Sequence, residues 1–245
     1  MNELDDNRVI QGLWIGSSLS VMEQLSIASF IKNGHEYHLY VYNDVKGVPP
    51  KTVIKDANEI LAQGHIIKYK YKGRDNFSGS ANVFRYKLLL ERGGYWADTD
   101  TVCLRPFDFQ SEYVFGEERH DDGSMKVAIG VIKTPVKSEM MQFCYEACLQ
   151  KDLNNLMWGD IGYKLFEKGI RRFKLTNYIL PYKAFYPIPW WDWQAILNPR
   201  IDVELEDPEV YAVHLWNEMW RLNKADKDDT YHPMCLYEKL KKSYL

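Results

Sequence analysis

Two aspartates separated by a single residue, Asp98 and Asp100, are the side chains of this sequence that are best suited to chemistry. They follow an apolar segment, residues 95–97, that is typical of a short buried strand. On an extended segment, side chains at positions i and i+2 point to the same side. Two neighbouring carboxylates repel each other unless a cation lies between them, and carboxylate oxygens are ligands of hard divalent metals. The pair therefore indicates a metal or ligand site, and the alternative is an acidic turn on the surface.

The residues before this pair predict a scaffold that could hold it. Over residues 82–92, apolar side chains recur at helical spacing, and Arg85 lies off this apolar stripe. Gly93 then supplies the left-handed conformation that commonly ends a helix. The sequence thus predicts a helix, a tight turn and a strand that delivers the two acids.

The first hundred residues alternate between strand and helix patterns. We predict strands at 9–16, 37–42 and 66–69, and helices at 20–33 and 56–63. Such alternation favours right-handed βαβ units and a mainly parallel α/β sheet flanked by helices. Because ligands bind at the carboxyl ends of parallel strands, Trp14, Ile15, Tyr42 and the two aspartates are expected along one rim.

The second half of the chain predicts more strands and helices around an aromatic loop. The predicted strands are 113–116, 126–132 and 210–216, and the predicted helices are 138–151, 160–168 and 234–244. Residues 182–193, rich in proline and aromatic side chains, are predicted to form an ordered surface loop. Its tryptophans suit either an acceptor platform for sugar rings or a hydrophobic plug.

Composition limits the classes of function. The chain has 245 residues, a size typical of one domain, and its net charge of −3 argues against nucleic-acid binding. We find no signal peptide and no apolar run that could cross a bilayer. The four cysteines show no CxxC pairing, which favours reduced thiols. These features predict a cytoplasmic protein.

The segment from Arg85 through residues 93–100 resembles the DXD signature of glycosyltransferase family 32. Further matches are residues 13–16 with the first strand of that family, 158–162 with the W-G-x-x-G segment and 211–217 with the A-V-H-x-W-N segment. The last two segments are similar to the alpha-1,4-galactosyltransferase branch of the family. The family also contains bacterial capsular and lipopolysaccharide enzymes. The resemblance implies a GT-A-type nucleotide-sugar-binding fold over residues 1–245. Residues 1–104 would form the nucleotide-binding half, and 105–245 the acceptor-side half.

The resemblance also implies a metal site. Asp100 would bind Mn²⁺ or Mg²⁺ directly, and Asp98 would contact sugar or ribose hydroxyls and the metal shell. His214 would ligate the metal from the other side, although a histidine alone is more often a satisfied core residue. Carboxylate, imidazole and diphosphate ligands suit Mn²⁺ better than Ca²⁺.

For the donor, the resemblance implies that Trp14 stacks on the base and that Arg85 holds the nucleotide sugar, unless Arg85 forms a structural ion pair. Asn82 stands where related toxins have Asp, and Trp96 replaces the more usual Tyr. Asp160 is either a catalytic acid or the N-cap of the next helix. The complete set of expected donor-binding residues is Trp14, Ile15, Tyr42, Asn82, Arg85, Trp96, Asp98, Trp216 and Trp220.

These residues lead to one function hypothesis and one alternative. The hypothesis is a retaining, metal-dependent transferase that moves a hexose, expected from UDP, to a glycan or glycolipid acceptor in bacterial surface polysaccharide synthesis, at the inner face of the membrane. The alternative is an inactive nucleotide- or sugar-binding protein of the same fold. A glycoside hydrolase is disfavoured because acids two residues apart are too close to flank a sugar.

Overall fold

The computed structural model describes residues 8–65, 69–71, 74–76, 78–151, 159–201 and 205–245. Within these ranges the strands are β1 Val9–Trp14, β2 Glu36–Val41, β3 Val53–Asp56, β4 Tyr69–Tyr71, β5 Arg74–Asn76, β6 Gly94–Ala97, β7 Thr101–Cys103, β8 Val114–Arg119, β9 Met125–Thr134, β10 Ile179–Leu180 and β11 Ala212–His214. The α-helices are α1 Val21–Lys32, α2 Ser78–Arg92, α3 Glu139–Leu149, α4 Tyr163–Arg172, α5 Asn217–Asn223 and α6 Leu236–Tyr244. Short 3-10 turns cover Ala57–Glu59, Gln63–His65, Thr176–Tyr178, Tyr182–Ala184 and Trp190–Leu197.

A seven-stranded sheet forms the centre, in the order β10-β8-β9-β6-β1-β2-β3. Strands β1, β2, β3 and β6 are parallel, and β10 is parallel to β8. Only β9 runs antiparallel to its neighbours, β6 and β8, among the sheet strands that the structure describes. The prediction of a mixed α/β fold with a mainly parallel sheet flanked by helices is confirmed. Strands from both halves of the chain join in this sheet.

The helices cover the sheet on both faces. Alternate residues of β6 face different core clusters: Trp96 packs with residues of α2, α3 and α4, whereas Tyr95 and Ala97 pack with residues of α1. A third cluster joins α1, α5 and α6 with the 190–197 turns. All four cysteines are free and buried. None of the helices in the described ranges has both the length and the apolar character needed to cross a membrane.

The structure corrects several predicted elements in the first half. The expected helix at 56–63 is replaced by the end of β3 and two 3-10 turns. Local side-chain bonds explain this, because Asp56 accepts a hydrogen bond from the Asn58 amide (2.8 Å) and Asn58 accepts one from the Gln63 amide (2.9 Å). The strand β3 was not predicted. Of the strand expected at 66–69, residues 66–68 lie outside the described residues.

Two elements of the second half also differ from the prediction. The strand expected at 210–216 is shortened to β11, which pairs antiparallel with β7 outside the central sheet. The aromatic loop is not a surface loop throughout, since Phe185, Tyr186, Ile188 and Trp193 are buried. Its tryptophans divide between the two alternatives: Trp193 fills the core, and Trp191 is 39% exposed.

Candidate functional site

The two aspartates lie in a tight turn between β6 and β7. The Asp98 amide donates to the Gly130 carbonyl of β9 (2.8 Å), and the Thr101 amide donates to the Asp98 carbonyl (2.9 Å). The sequence predicted an extended segment here, so this turn is a correction. The carboxylates still converge, because the turn wraps both side chains toward β11.

His214, at the end of β11, meets the two carboxylates. Its Nε2 atom lies 3.3 Å from Asp100 Oδ1 and 4.0 Å from Asp98 Oδ2. One ligand atom from each of the three side chains falls within 4.8 Å of the others. Residues 116 positions apart in the chain are brought together because β11 pairs with β7, the strand that directly follows the turn.

Asp98 is fixed through one of its two oxygens. Arg85 Nη2 lies 2.5 Å from Oδ1, and the Trp96 indole nitrogen donates to the same oxygen at 2.8 Å. The buried Arg85 guanidinium also stacks over the Trp96 ring, 4.7 Å from its centroid. The second oxygen, Oδ2, is left facing His214. Arg85 thus forms an ion pair with Asp98, and its contact with a donor stays a prediction.

Asp100 is held by the backbone of the C-terminal segment. The Asn217 amide donates to Oδ2 at 2.8 Å, and the Leu215 amide donates to the Asp100 carbonyl at 2.8 Å. Oδ1 is left facing His214. Each aspartate thus keeps one oxygen directed at the imidazole.

The electrostatics of the cluster separate the two acids. Burial would raise the pKa of Asp98, but the Arg85 guanidinium, the nearby His214 imidazole and the hydrogen bond from Trp96 outweigh it and lower that pKa. Burial raises the pKa of Asp100, and the Asp98 charge adds to this against the attraction of His214. Burial would lower the pKa of His214, but the two aspartates raise it. A cation placed among them would remove the repulsion that acts on Asp100.

The donor atoms fit a hard divalent metal. Asp98 Oδ2, Asp100 Oδ1 and His214 Nε2 supply two oxygens and one nitrogen, a set that Mn²⁺ and Mg²⁺ accept. The Trp216 amide donates to His214 Nδ1 at 3.3 Å, so the neutral ring carries its proton on Nε2. Ligation through Nε2 would move this proton to Nδ1, and the Trp216 amide would then have to turn away.

Comparisons with known proteins agree with this geometry. Residues 20–118 match the family model described as "Glycosyltransferase sugar-binding region containing DXD motif". Residues 137–244 match the model described as "Alpha 1,4-glycosyltransferase conserved region". Both parts of the chain are thus similar to glycosyltransferase families, the first of them defined by the DXD motif.

Individual relatives are distant. The chain is 25% identical to human lactosylceramide 4-alpha-galactosyltransferase over 151 residues, which is 56% of this chain and 41% of that protein. It is 23% identical to human alpha-1,4-N-acetylglucosaminyltransferase over 159 residues, 60% of this chain and 44% of the relative. The aligned part spans less than half the length of either relative. A solved structure, the PaToxG glycosyltransferase, is similar with a TM-score of 0.48 and 14% identity, covering 68% of this chain and 69% of that one.

Three of the expected donor-binding residues, Trp14, Ile15 and Tyr42, lie on different faces of the sheet. Trp14 packs with the α1 cluster, and the Lys227 ammonium lies 5.8 Å from its ring centroid. The Trp14 indole nitrogen is buried, without a hydrogen-bond partner among the described residues. Ile15 and Tyr42 pack on the other face, where the Tyr42 hydroxyl donates to the Leu61 carbonyl (2.9 Å) and burial raises its pKa to about 12. Base stacking by Trp14 stays a prediction.

Three other predicted donor residues have structural partners. Asn82 Oδ1 accepts a bond from Arg85 Nη1 at 3.1 Å. Trp216 adopts a left-handed backbone conformation (φ 60°), and its ring lies 4.3 Å from the His214 ring. Trp220 is fully buried, donates to the Leu215 carbonyl and packs against Trp193 and Tyr237. Trp220 is among the expected donor-binding residues, and its burial argues against that role because no face of its ring reaches solvent.

Asp160 lies in the turn before α4. The N-cap of α4 is Gly162, so the N-cap alternative for Asp160 is wrong, and the helix begins three residues later than predicted. Asp160 lines a groove of about 500 Å³ between α3 and α4, and no hydrogen bond or ion pair to Asp98 or Asp100 is found in the described part of the chain. Trp158 lies outside the described residues. The rest of its segment packs on α2, where the Tyr86 hydroxyl donates to the Ile161 carbonyl (3.1 Å).

Two residues of the site were not predicted. A Cβ atom added at Gly130 would lie 2.9 Å from the Tyr186 hydroxyl, 3.2 Å from His214 Cδ2 and 3.3 Å from Asp98 Oδ2. Gly130 therefore leaves the space in which the Asp98 and His214 side chains meet. The Tyr186 hydroxyl accepts a bond from the Val131 amide at 3.0 Å and packs beside His214. The one available signal was a single glycine inside the apolar pattern of β9.

Proposed function

We propose that this glycosyltransferase moves a hexose from a UDP-sugar to a glycan or glycolipid acceptor, with a divalent metal and with retention of configuration. One observation carries the proposal: Asp98 Oδ2, Asp100 Oδ1 and His214 Nε2 converge, while the remaining carboxylate oxygens are occupied by protein donors. This arrangement presents three donors to one point. A site of this kind suits the diphosphate of a nucleotide sugar.

Each side chain has a defined task in this proposal. When bound, Mn²⁺ or Mg²⁺ would neutralise the charge that develops on the departing diphosphate. Arg85 and Trp96 keep Asp98 in one rotamer, and the Asn217 amide does the same for Asp100. Because these contacts are made before substrate arrives, little reorganisation is needed during transfer.

Retention and the acceptor class rest on the relatives. Two of them are named as alpha-transferases, and an alpha product formed from an alpha-linked nucleotide sugar keeps its configuration. One is named for lactosylceramide, a glycolipid. We therefore propose a lipid-linked or polysaccharide glycan as the acceptor, at the cytoplasmic face of a bacterial membrane.

Thermal unfolding with UDP, measured with and without Mn²⁺, tests the proposal. We expect UDP to raise the melting temperature only when Mn²⁺ is present. Asp100→Asn should abolish this rise, because the amide cannot replace a charged ligand oxygen, and the exposed Asp108→Asn should preserve it. Equal stabilisation by UDP in EDTA would contradict a metal-dependent site. UDP binding in Mn²⁺ without hydrolysis or transfer of any UDP-sugar would instead support the inactive binding protein.

A further inference from the structure

A second polar cluster lies at the end of the β8–β9 hairpin. Glu118 Oε1 is 3.1 Å from His120 Nε2, and His120 Nδ1 is 3.2 Å from the Lys126 ammonium. An ammonium group only donates, so Nδ1 is the acceptor and Nε2 carries the proton that faces Glu118. The three side chains form a directed line of hydrogen bonds, from Lys126 through a neutral His120 to Glu118. This line fixes the Glu118 carboxylate in place.

Glu118 is anchored but not fully covered. Its side chain is 15% exposed, and that of His120 is 8% exposed. Within the described residues, the hydrogen bond from His120 is the only one made to the Glu118 carboxylate. A half-buried carboxylate with a free oxygen is costly unless a ligand or water completes its bonding. Glu118 is therefore ready to accept hydrogen bonds from a bound molecule.

The cluster lies next to the segment that follows the 159–162 turn. Tyr163 follows this turn, with its ring 6.1 Å from the His120 ring and 5.6 Å from the Lys126 ammonium. On the other side of the turn, a Cβ atom at Gly162 would lie 3.3 Å from Asn82 Nδ2, and Asn82 bonds Arg85. The residues that hold Glu118 and the residues that hold Asp98 thus both lie next to the segment 159–163.

Electrostatics agree with this placement. Burial raises the pKa of Tyr186, and the negative charge of Glu118 is the next largest cause. Asp100, Asp98 and Glu118 together raise the pKa of His214 against the effect of burial. Glu118 therefore acts on the side chains that surround the metal-binding atoms.

We propose that Glu118 binds hydroxyl groups of the transferred sugar, and that His120 and Lys126 position it. This inference rests on the proposed function. A carboxylate repels the diphosphate, so it suits the hydroxyl-bearing parts of a bound nucleotide sugar, which are the ribose and the hexose. We assign Glu118 to the hexose, and an unchanged affinity for UDP, which contains the ribose alone, separates the two. His120 is a positioning residue, because it reaches the sugar only through Glu118.

Isothermal titration and donor hydrolysis test this proposal on the full chain. The probes are UDP, UDP-glucose, UDP-galactose and UDP-N-acetylglucosamine, each with Mn²⁺. For the sugar that the wild type hydrolyses fastest, Glu118→Gln should lower kcat/KM by about 10- to 100-fold, the loss expected for a charged hydrogen bond. The Kd of UDP should stay within twofold. Glu117→Gln, the neighbouring acid on the same strand, should match the wild type in both measurements.

The positioning role has its own measurement. His120→Ala should raise KM for the same UDP-sugar, and His120→Gln should recover part of the loss, because the Gln amide can still donate to Glu118. UDP affinity and melting temperature should change little between these two variants. If His120 had a purely structural role, the activity of both variants would fall in proportion to their loss of stability. That result would contradict a positioning role.

The measurements distinguish a failure of this inference from a failure of the proposed function. Hydrolysis by Glu118→Gln within threefold of the wild type would overturn this inference and leave the proposed function intact. A loss of UDP affinity of more than tenfold in Glu118→Gln would also overturn it, because the carboxylate would then support the whole site. A wild-type protein that fails to bind UDP in Mn²⁺, or that hydrolyses none of the three sugars, would overturn the proposed function, and this inference with it.

Discussion

Asp98 and Asp100 share a motif but differ in their surroundings. Asp98 is tied to a guanidinium and an indole, and its pKa is lowered; Asp100 is tied to one backbone amide, and its pKa is raised. A carboxylate whose pKa is raised on folding gains most from an added cation. A metal bound at the proposed site would therefore stabilise the Asp100 carboxylate more than that of Asp98.

Gly130 provides a test of the space around these acids. Gly130→Ala should weaken Mn²⁺ binding by about tenfold or more, because the added carbon would lie 2.9–3.3 Å from Tyr186, His214 and Asp98. Gly64→Ala is the control, since a Cβ atom there meets nothing within 4 Å. Titration with Mn²⁺, read by calorimetry, measures the effect. Equal Mn²⁺ affinities for the two variants would show that the metal binds elsewhere.

Among the individual residues of the site, those with distinctive chemistry were predicted from the sequence. Asp98, Asp100 and Arg85 were found through their spacing, and His214 through its resemblance to a family segment. Gly130 and Tyr186 were missed because their contribution depends on which strands lie side by side. A glycine that leaves space for other side chains carries no chemistry of its own in the sequence.

The turn between α2 and β6 is the element that delivers the acids. Gly93 has φ 64°, and a Cβ atom there would lie 2.5 Å from the Val136 amide nitrogen. The Gly93 amide donates to the Leu89 carbonyl, which ends the helix. The orientation of α2 relative to β6 thus depends on the close approach of the backbone at Gly93 to the backbone at Val136.

Gly93→Ala should therefore destabilise the fold more than a change in backbone preference alone. Gly34→Ala isolates that preference, because Gly34 has φ 88° and open space around it, and it should cost about 1–2 kcal/mol of unfolding free energy. Gly93→Ala should cost at least about 1 kcal/mol more through the clash. Urea unfolding compares the two variants. Equal losses would argue against the close approach.

The periodicity of apolar residues was sufficient to predict a helix or strand where the segment had a clear apolar face. The helices α1, α2, α3 and α6 and the strands β1, β2 and β9 were all predicted close to their observed positions. The helix predicted at 56–63 was wrong because the backbone amides of Asn58 and Gln63 donate to the side chains of Asp56 and Asn58. These hydrogen bonds replace helical ones. The pairing of β11 with β7 could not be predicted, since strand partners over a hundred residues apart are decided by the packing of the whole chain.

The last part of the chain completes the candidate site. The C-terminal segment supplies His214 and the Asn217 amide, and its core cluster holds it against α1. Trp220 lies at the centre of this cluster, fully buried, with its indole nitrogen bonded to the Leu215 carbonyl. Trp220 thus holds the segment that carries His214, the proposed metal ligand.

Trp220→Phe should lower the unfolding free energy by about 1–3 kcal/mol through the lost ring volume and hydrogen bond. The Kd of UDP with Mn²⁺ should change by less than threefold once the protein is folded. Trp191→Phe, at a position that is 39% exposed, should leave stability unchanged. A large loss of UDP affinity at full stability in Trp220→Phe would place this ring at the donor after all.

The central claim is that a divalent metal binds between the DXD turn and β11, where it can hold the diphosphate of a donor. Anomalous diffraction above the manganese edge, from crystals grown with Mn²⁺ and UDP, tests it most directly. We predict one strong peak about 2–2.5 Å from Asp100 Oδ1, with Asp98 Oδ2 and His214 Nε2 facing it, and no peak in Asp100→Asn. The absence of a peak there in the wild type, or a peak held by other residues, would contradict the account.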